Sequence, residues 1–134
     1  MDRDTTATRG SFIEFGGHRI FLVDYTGLTP EEHIQELDKV RQIIVQQPPR
    51  STLLLHLANE RFTGASADAI KNYTHIIDPH VRANAVVCRP GFRVAFNAVL
   101  NGEVRHEIRC FELESEALDW LITQVEAPGA DRVP

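Results

Sequence analysis

Between Ser51 and Ile77 the hydrophobic period of the chain changes, and that change limits the fold more than any other feature. Thr52-Leu53-Leu54-Leu55-His56-Leu57 is a near-continuous apolar run, the pattern of a strand covered on both faces. A polar turn follows, Asn59-Glu60-Arg61. Beyond it Ala69, Ile70, Tyr73, Ile76 and Ile77 recur at helical spacing on one face. A buried strand passing through a polar turn into a helix is the building unit of an open α/β sheet. In such sheets ligands and partners meet the protein at the carboxyl ends of the strands, where this turn belongs.

The remaining segments repeat the unit. Ser11–Phe15 reads as an edge strand, and Gly16-Gly17 as a two-residue hairpin turn, because both residues tolerate positive φ. Arg19–Tyr25 is the apolar return strand. Thr29-Pro30-Glu31-Glu32 is the sharpest local signal: threonine at the N-cap, proline at the first helical position and glutamate closing a capping box. Such a cap contributes about 1 kcal/mol. Ile34, Leu37, Val40 and Ile44 form the stripe behind it, and Pro48-Pro49 stops the helix, since neither can donate the next backbone hydrogen bond. Asp78-Pro79 ends the second helix. A strand is expected within Val81–Cys88, from Ala83, then a third helix over Phe92–Leu100 closed by Asn101-Gly102. A last strand follows over Arg105–Phe111 and a short helix over Glu116–Gln124.

After the opening hairpin strand the order is therefore β-α four times over. The expectation is a single α/β domain with a mostly parallel mixed sheet of about five strands and four helices. Residues 11–126 form the domain, residues 1–10 a flexible N-terminal segment and residues 127–134 a tail. With 134 residues, 43% of them hydrophobic and 25% charged, the chain has the balance of a soluble globular protein with one core. A formal charge of −5 argues against nucleic acid or an anionic membrane surface as partner, since both call for surplus cations. No apolar run is long enough for a membrane span, and the N-terminal residues lack the apolar centre of a signal peptide. Two cysteines do not make a disulfide framework, so a cytoplasmic protein with reduced thiols is expected.

Several segments in this order resemble the SpoIIAA-like branch of the STAS/SEC14-like families. They are Phe-Leu-Val-Asp-Tyr-Thr-Gly-Leu at 21–28, the helix with the acidic first turn, and the Leu-Leu-Leu-His-Leu-Ala-Asn strand with a threonine opening the next helix. Ala-Asn-Ala-Val-Val at 83–87 and Phe111 followed by Glu-Ala-Leu-Asp-Trp-Leu at 116–121 complete the set. The similarity runs from Gly17 to Gln124. It implies a βα superhelix with a mixed sheet and a non-enzymatic role in binding partner proteins or small ligands. In the anti-sigma-factor antagonists of the wider family a serine in an Asp-Ser-Ser-Gly turn is phosphorylated. The matching turn here reads Gly64-Ala65-Ser66-Ala67, so Ser66 matches the second serine, while the aspartate, first serine and glycine are missing.

Thr63 and Ser66 thus have two readings. Either one caps the second helix, as hydroxyls do routinely, or Ser66 is a phosphoacceptor whose phosphate gains from the helix N-terminus and Arg61. Glu60 and Asp68 oppose the second. Cys88-Arg89-Pro90-Gly91-Phe92-Arg93 also has two. It resembles the active-site loop of rhodanese-type sulfurtransferases, with Cys88 as nucleophile and Arg89 and Arg93 binding the anionic donor. Pro90 removes one amide from the cradle such a loop needs, and the alternative is a strand-end cysteine behaving as a small hydrophobe.

The six histidines do not cluster, and His56 reads as a hydrogen-bonded core residue, so no metal site is expected, nor any other cofactor. The third helix is apolar on more than one face, with Phe92, Ala95, Phe96 and Val99 on one and Val94 and Ala98 on another. The surplus fits a dimer interface, a flap over an apolar ligand, or a helix sunk into the core. The leading expectation is a module working through protein contact, as a homodimer, with a face built from Asn59, Glu60, Arg61, Thr63, Ser66, Phe92 and Phe96. The alternatives are sulfur transfer at Cys88 and carriage of a small apolar ligand.

Overall fold

The computed structural model describes residues 8–61, 63–94 and 104–126. Five strands form one sheet: β1 (Gly10–Phe15), β2 (His18–Asp24), β3 (Thr52–Leu57), β4 (Val81–Val87) and β5 (Glu107–Phe111). They lie in the order β1-β2-β3-β4-β5, so each strand pairs with its neighbour in sequence and β3 is central. β1 runs antiparallel to β2, and every later pair is parallel. The hairpin turns on Gly16 and Gly17, both at positive φ (59° and 82°), a conformation in which a side chain would strain the backbone.

Three helices are described: α1 (Pro30–Ile44), α2 (Gly64–Ile77) and α3 (Glu114–Glu126). The capping box at Thr29 is present, with the Glu32 amide donating to Thr29 Oγ1 at 3.1 Å and the Thr29 amide to Glu32 Oε1 at 2.9 Å. Of the expected third helix, Pro90–Phe92 is a single 3-10 turn, and residues 95–103, Phe96 among them, lie outside the described residues.

Side chains alternate across the sheet as strand geometry requires. On one face Phe21, Val23 and Tyr25 of the β2 line join Leu54 of β3 and pack under Leu37, Val40 and Ile44 of α1 and Ile70, Tyr73 and Ile77 of α2. On the other, Ile20, Leu53, Leu55, Ala83 and Ala85 meet Ala117 and Leu121 of α3. The small residues of β4 let α3 lie close to the strand. The buried edge of α1 departs from the apolar stripe: His33 and Glu36 are buried where Ile34 is only half-buried. Arg9 explains Glu36. Its amide donates to Glu36 Oε2 at 2.6 Å while its guanidinium reaches the carbonyls of Asp24 at 2.6 Å and Thr26 at 3.0 Å.

Candidate functional site

Four parallel strands release their carboxyl ends on one rim, and a cleft of about 570 Å³ runs along it. Thr26 and Gly27 come from the end of β2, and Leu57 to Arg61 from the end of β3. Val87, Cys88, Arg89 and Phe92 follow β4, and Glu112 and Glu114 follow β5. The sequential strand order is what brings these four loops together.

Two side chains hold the loops in place. Asn59 is buried; its amide nitrogen donates to the Leu28 carbonyl at 2.8 Å and its oxygen accepts from the Arg61 amide at 3.3 Å, tying the β2–α1 loop to the β3–α2 loop. Glu60 accepts from the Arg89 amide at 3.0 Å and from its guanidinium at 2.7 and 2.6 Å, tying that loop to the end of β4. The Arg89 hydrogen bonds hold the Glu60 carboxyl below its ordinary range despite some burial.

Cys88 is buried, and its backbone amide is already spent on the Phe111 carbonyl at 2.9 Å. Burial first, then the neighbouring Cys110 and Glu60, push its thiol up to about 12, and nearby Arg93 only partly opposes this. Arg89 faces Glu60, and Arg93 donates to the Cys110 carbonyl at 3.5 Å. The three residues of the sulfurtransferase reading are adjacent but do not converge on a thiolate.

At the mouth of α2, Thr63 is the N-cap and Ser66 completes its box. The Ser66 amide donates to Thr63 Oγ1 at 3.0 Å, and the Thr63 amide to Ser66 Oγ at 2.8 Å. The Ser66 hydroxyl also donates to the Thr63 carbonyl at 3.1 Å, and the residue is 0% exposed. Phosphorylation of Ser66 therefore requires the first turn of α2 to open. Neither Thr63 nor Ser66 lines the cleft.

Below the rim, His56 sits in the core with Nδ1 2.9 Å from Asn84 Oδ1 and Nε2 2.9 Å from Tyr73 Oη. A second buried histidine, His106, has Nδ1 2.7 Å from Asp78 Oδ1, and Asp78 also accepts from the Arg105 and His106 amides. Burial alone would raise the Asp78 carboxyl; those amides and the ring bring it below its ordinary value. Among the described residues no three His, Cys, Asp or Glu side chains gather as a metal site, and no helix is long and apolar enough to cross a membrane.

The chain is similar to a solved structure from Shewanella loihica PV-4, an uncharacterized protein of the DUF3478 family with a SpoIIAA-like fold. The TM-score is 0.64 at 16% identity, over 90% of this chain and 98% of that one. The fold is SpoIIAA-like. No protein-family model and no curated protein matches the chain. The SpoIIAA-like resemblance read from the strand and helix segments thus holds at the level of fold.

Of the partner face expected from sequence, Asn59, Glu60, Arg61 and Phe92 line the cleft, Thr63 and Ser66 do not, and Phe96 lies outside the described residues; Cys88 and Arg89, expected as a catalytic pair, line it as well. Sequence reasoning missed Thr26, Gly27, Glu112 and Glu114. The signal for these four is topological: each follows a strand that the β-α alternation makes parallel to β3.

Proposed function

We propose that this SpoIIAA-like chain is a non-enzymatic, STAS-like binding module of the cytoplasm that works by protein contact through the rim cleft, as a homodimer. The observation that carries the reading is the division of labour on the rim. Glu60 is spent on Arg89 and Asn59 on Leu28, while large apolar side chains flanking cleft residues in the chain stay in solvent. Leu113, between the cleft residues Glu112 and Glu114, is 56% exposed, and Val94, two residues past Phe92, is 78% exposed. Exposed large apolar side chains next to charged ones in the chain are a feature of protein-binding surfaces. Sulfur transfer at Cys88 has the opposite requirement, a low-pKa accessible thiolate, and Ser66 has no part in the proposal.

Photo-crosslinking in cells from positions 61 and 113, with position 14 on β1 as the control, tests it. Crosslinks to a protein partner or to a second copy from 61 and 113 are expected. Crosslinks arising solely from position 14 would overturn the proposal. Sedimentation analysis of the purified chain checks the dimer, which Leu113→Asp is expected to weaken. Thiosulfate-to-cyanide transfer by the wild type that disappears in Cys88→Ser would replace the binding reading with the enzymatic one.

A further inference from the structure

Directly under the rim cleft, between the sheet and the α1–α2 layer, lies a second space of about 40 Å³. That is room for about three water-sized groups. Ala58 and Asn59 belong to the walls of both spaces, so the inner cavity sits beneath the floor of the outer one. Its polar wall includes Tyr25, His33, His56, Tyr73 and Asn84, and its aliphatic wall Leu37, Ile70 and Val86.

The hydrogen bonds of this wall close on one side and stay open on the other. His56 is neutral, because burial lowers it to about 4, and both its nitrogens are engaged by Asn84 and Tyr73. With Nδ1–H donated to Asn84 Oδ1, Nε2 accepts the Tyr73 hydroxyl proton, which leaves Tyr73 with acceptor lone pairs alone. Across from it stand Tyr25 and His33, 4% and 3% exposed, their rings 4.5 Å apart. The Tyr25 hydroxyl meets that of Tyr73 in a long contact, close enough for each to shift the other's ionisation but short of a regular hydrogen bond, and so stays unsaturated. Tyr25 Oη and His33 Nδ1 are both buried, and the described residues give neither a regular hydrogen bond. Buried polar groups in folded proteins are nearly always satisfied, so two orphans lining one cavity point to a guest that completes them.

The walls also define the guest's chemistry. No Asp, Glu, Lys or Arg lines the cavity, and burial keeps His33 neutral with its pKa at about 4. An ion would lose its hydration there without gaining a counter-charge. A molecule with a small apolar body meets the aliphatic wall, and one hydroxyl or carbonyl meets the orphaned pair. We propose that this cavity is a binding site for a small uncharged molecule of roughly three or four heavy atoms bearing a hydroxyl or carbonyl group, with Tyr25 Oη and His33 Nδ1 as its hydrogen-bond partners. The site is independent of the rim reading, since it needs neither a protein partner nor a dimer.

Titration of the full chain with 2-propanol, acetamide and acetate, followed by amide NMR, tests it. The two neutral probes are expected to give saturable shifts at Ala58, Asn59, Tyr73 and Val86, and acetate none. Tyr25→Phe keeps the ring and removes the hydroxyl; it is expected to weaken both probes about fivefold, one hydrogen bond's worth. Shifts that rise linearly without saturating, or that are equal in the variant, overturn the proposal. Should Tyr25→Phe fail to fold, wild-type crystals soaked in 2-propanol decide. Alcohol density within hydrogen-bond reach of Tyr25 Oη and His33 Nδ1 supports the site; ordered water that the alcohol does not displace overturns it.

Discussion

The two faces of the sheet are built on opposite chemistry. Beneath α3, Ile20, Leu53, Leu55, Ala83, Ala85, Ala117 and Leu121 form an apolar cluster, and Arg82 donates to the Gln124 carbonyl of that helix at 3.3 Å. Beneath α1 and α2, the same strands carry Tyr25, His56 and Asn84, and the helices add His33 and Tyr73. Asn84 and Ala85 are consecutive and both buried, yet one is fixed by a hydrogen bond and the other by close packing against a helix. One face is committed to stability, and the other combines packing with groups that have something left to bind.

The largest expected effect is on the apolar face. Leu55→Ala leaves a cavity in a closely packed cluster and is expected to cost about 2–5 kcal/mol in urea unfolding. A loss below about 1 kcal/mol would mean that α3 packs loosely and that the contrast between the faces is overstated. Acid should act on the polar face instead. Burial lowers His56 and His33 from 6.5 to about 4, so the folded rings refuse protons that the unfolded chain accepts. Stability is therefore complete above pH 6.5 and falls as the pH drops from 6.5 towards 4, by up to about 3 kcal/mol from His56 alone. The depressed carboxylates of Asp38, Glu60 and Asp78 act lower, below the ordinary carboxylate range. Urea midpoints at pH 7.5 and 5 should differ in the wild type and differ less in His56→Gln. An identical slope in that variant would locate the proton uptake elsewhere.

Residues 84 and 85 allow the comparison to be made within one strand. Asn84→Ala removes the acceptor from His56 Nδ1, and Ala85→Ser places a hydroxyl in the apolar cluster. Each is expected to cost about 1–3 kcal/mol, for opposite reasons. A neutral Asn84→Ala would show that His56 turns to another partner and that its chain with Tyr73 is not fixed.

Much of this architecture was legible in advance, and the rest was hidden for a definable reason. Gly16-Gly17, the Thr29–Glu32 box, and the prolines after α1 and α2 are local signals, and each appears where the residues place it. Periodicity reads apolar residues only, so it assigned Ile34 to the buried stripe of α1 and passed over His33 and Glu36. Glu36 is buried because Arg9 reaches it from 27 residues away, a contact no window of sequence contains. The site shows the same division. Asn59, Glu60 and Arg61 lie on the turn that the change of period marks. Glu112 and Glu114 reach the cleft through strand order, and the Glu60–Arg89 lock joins residues 29 apart. His56 was legible as a hydrogen-bonded core residue, but Tyr73 and Asn84 as its partners were not.

The smallest effect separates two helix caps of the same design. Thr29 and Thr63 each accept from the amide three residues on and receive a side-chain acceptor in return. At Thr29 the partner Glu32 is exposed, so water can take over the bond that Thr29→Ala removes. At Thr63 the partner Ser66 is fully buried, and Thr63→Ala leaves its amide without an acceptor. N-cap losses span about 0.5–2 kcal/mol. Thr29→Ala is expected near the bottom of that range and Thr63→Ala near the top, with Thr63→Ser restoring most of the difference. Because α2 covers the polar face, Thr63→Ala should also speed amide exchange in the first turn of α2 more than in α1. Equal costs at the two caps would mean that water reaches Ser66 readily, and the start of α2 would then be open enough for its hydroxyl to be modified.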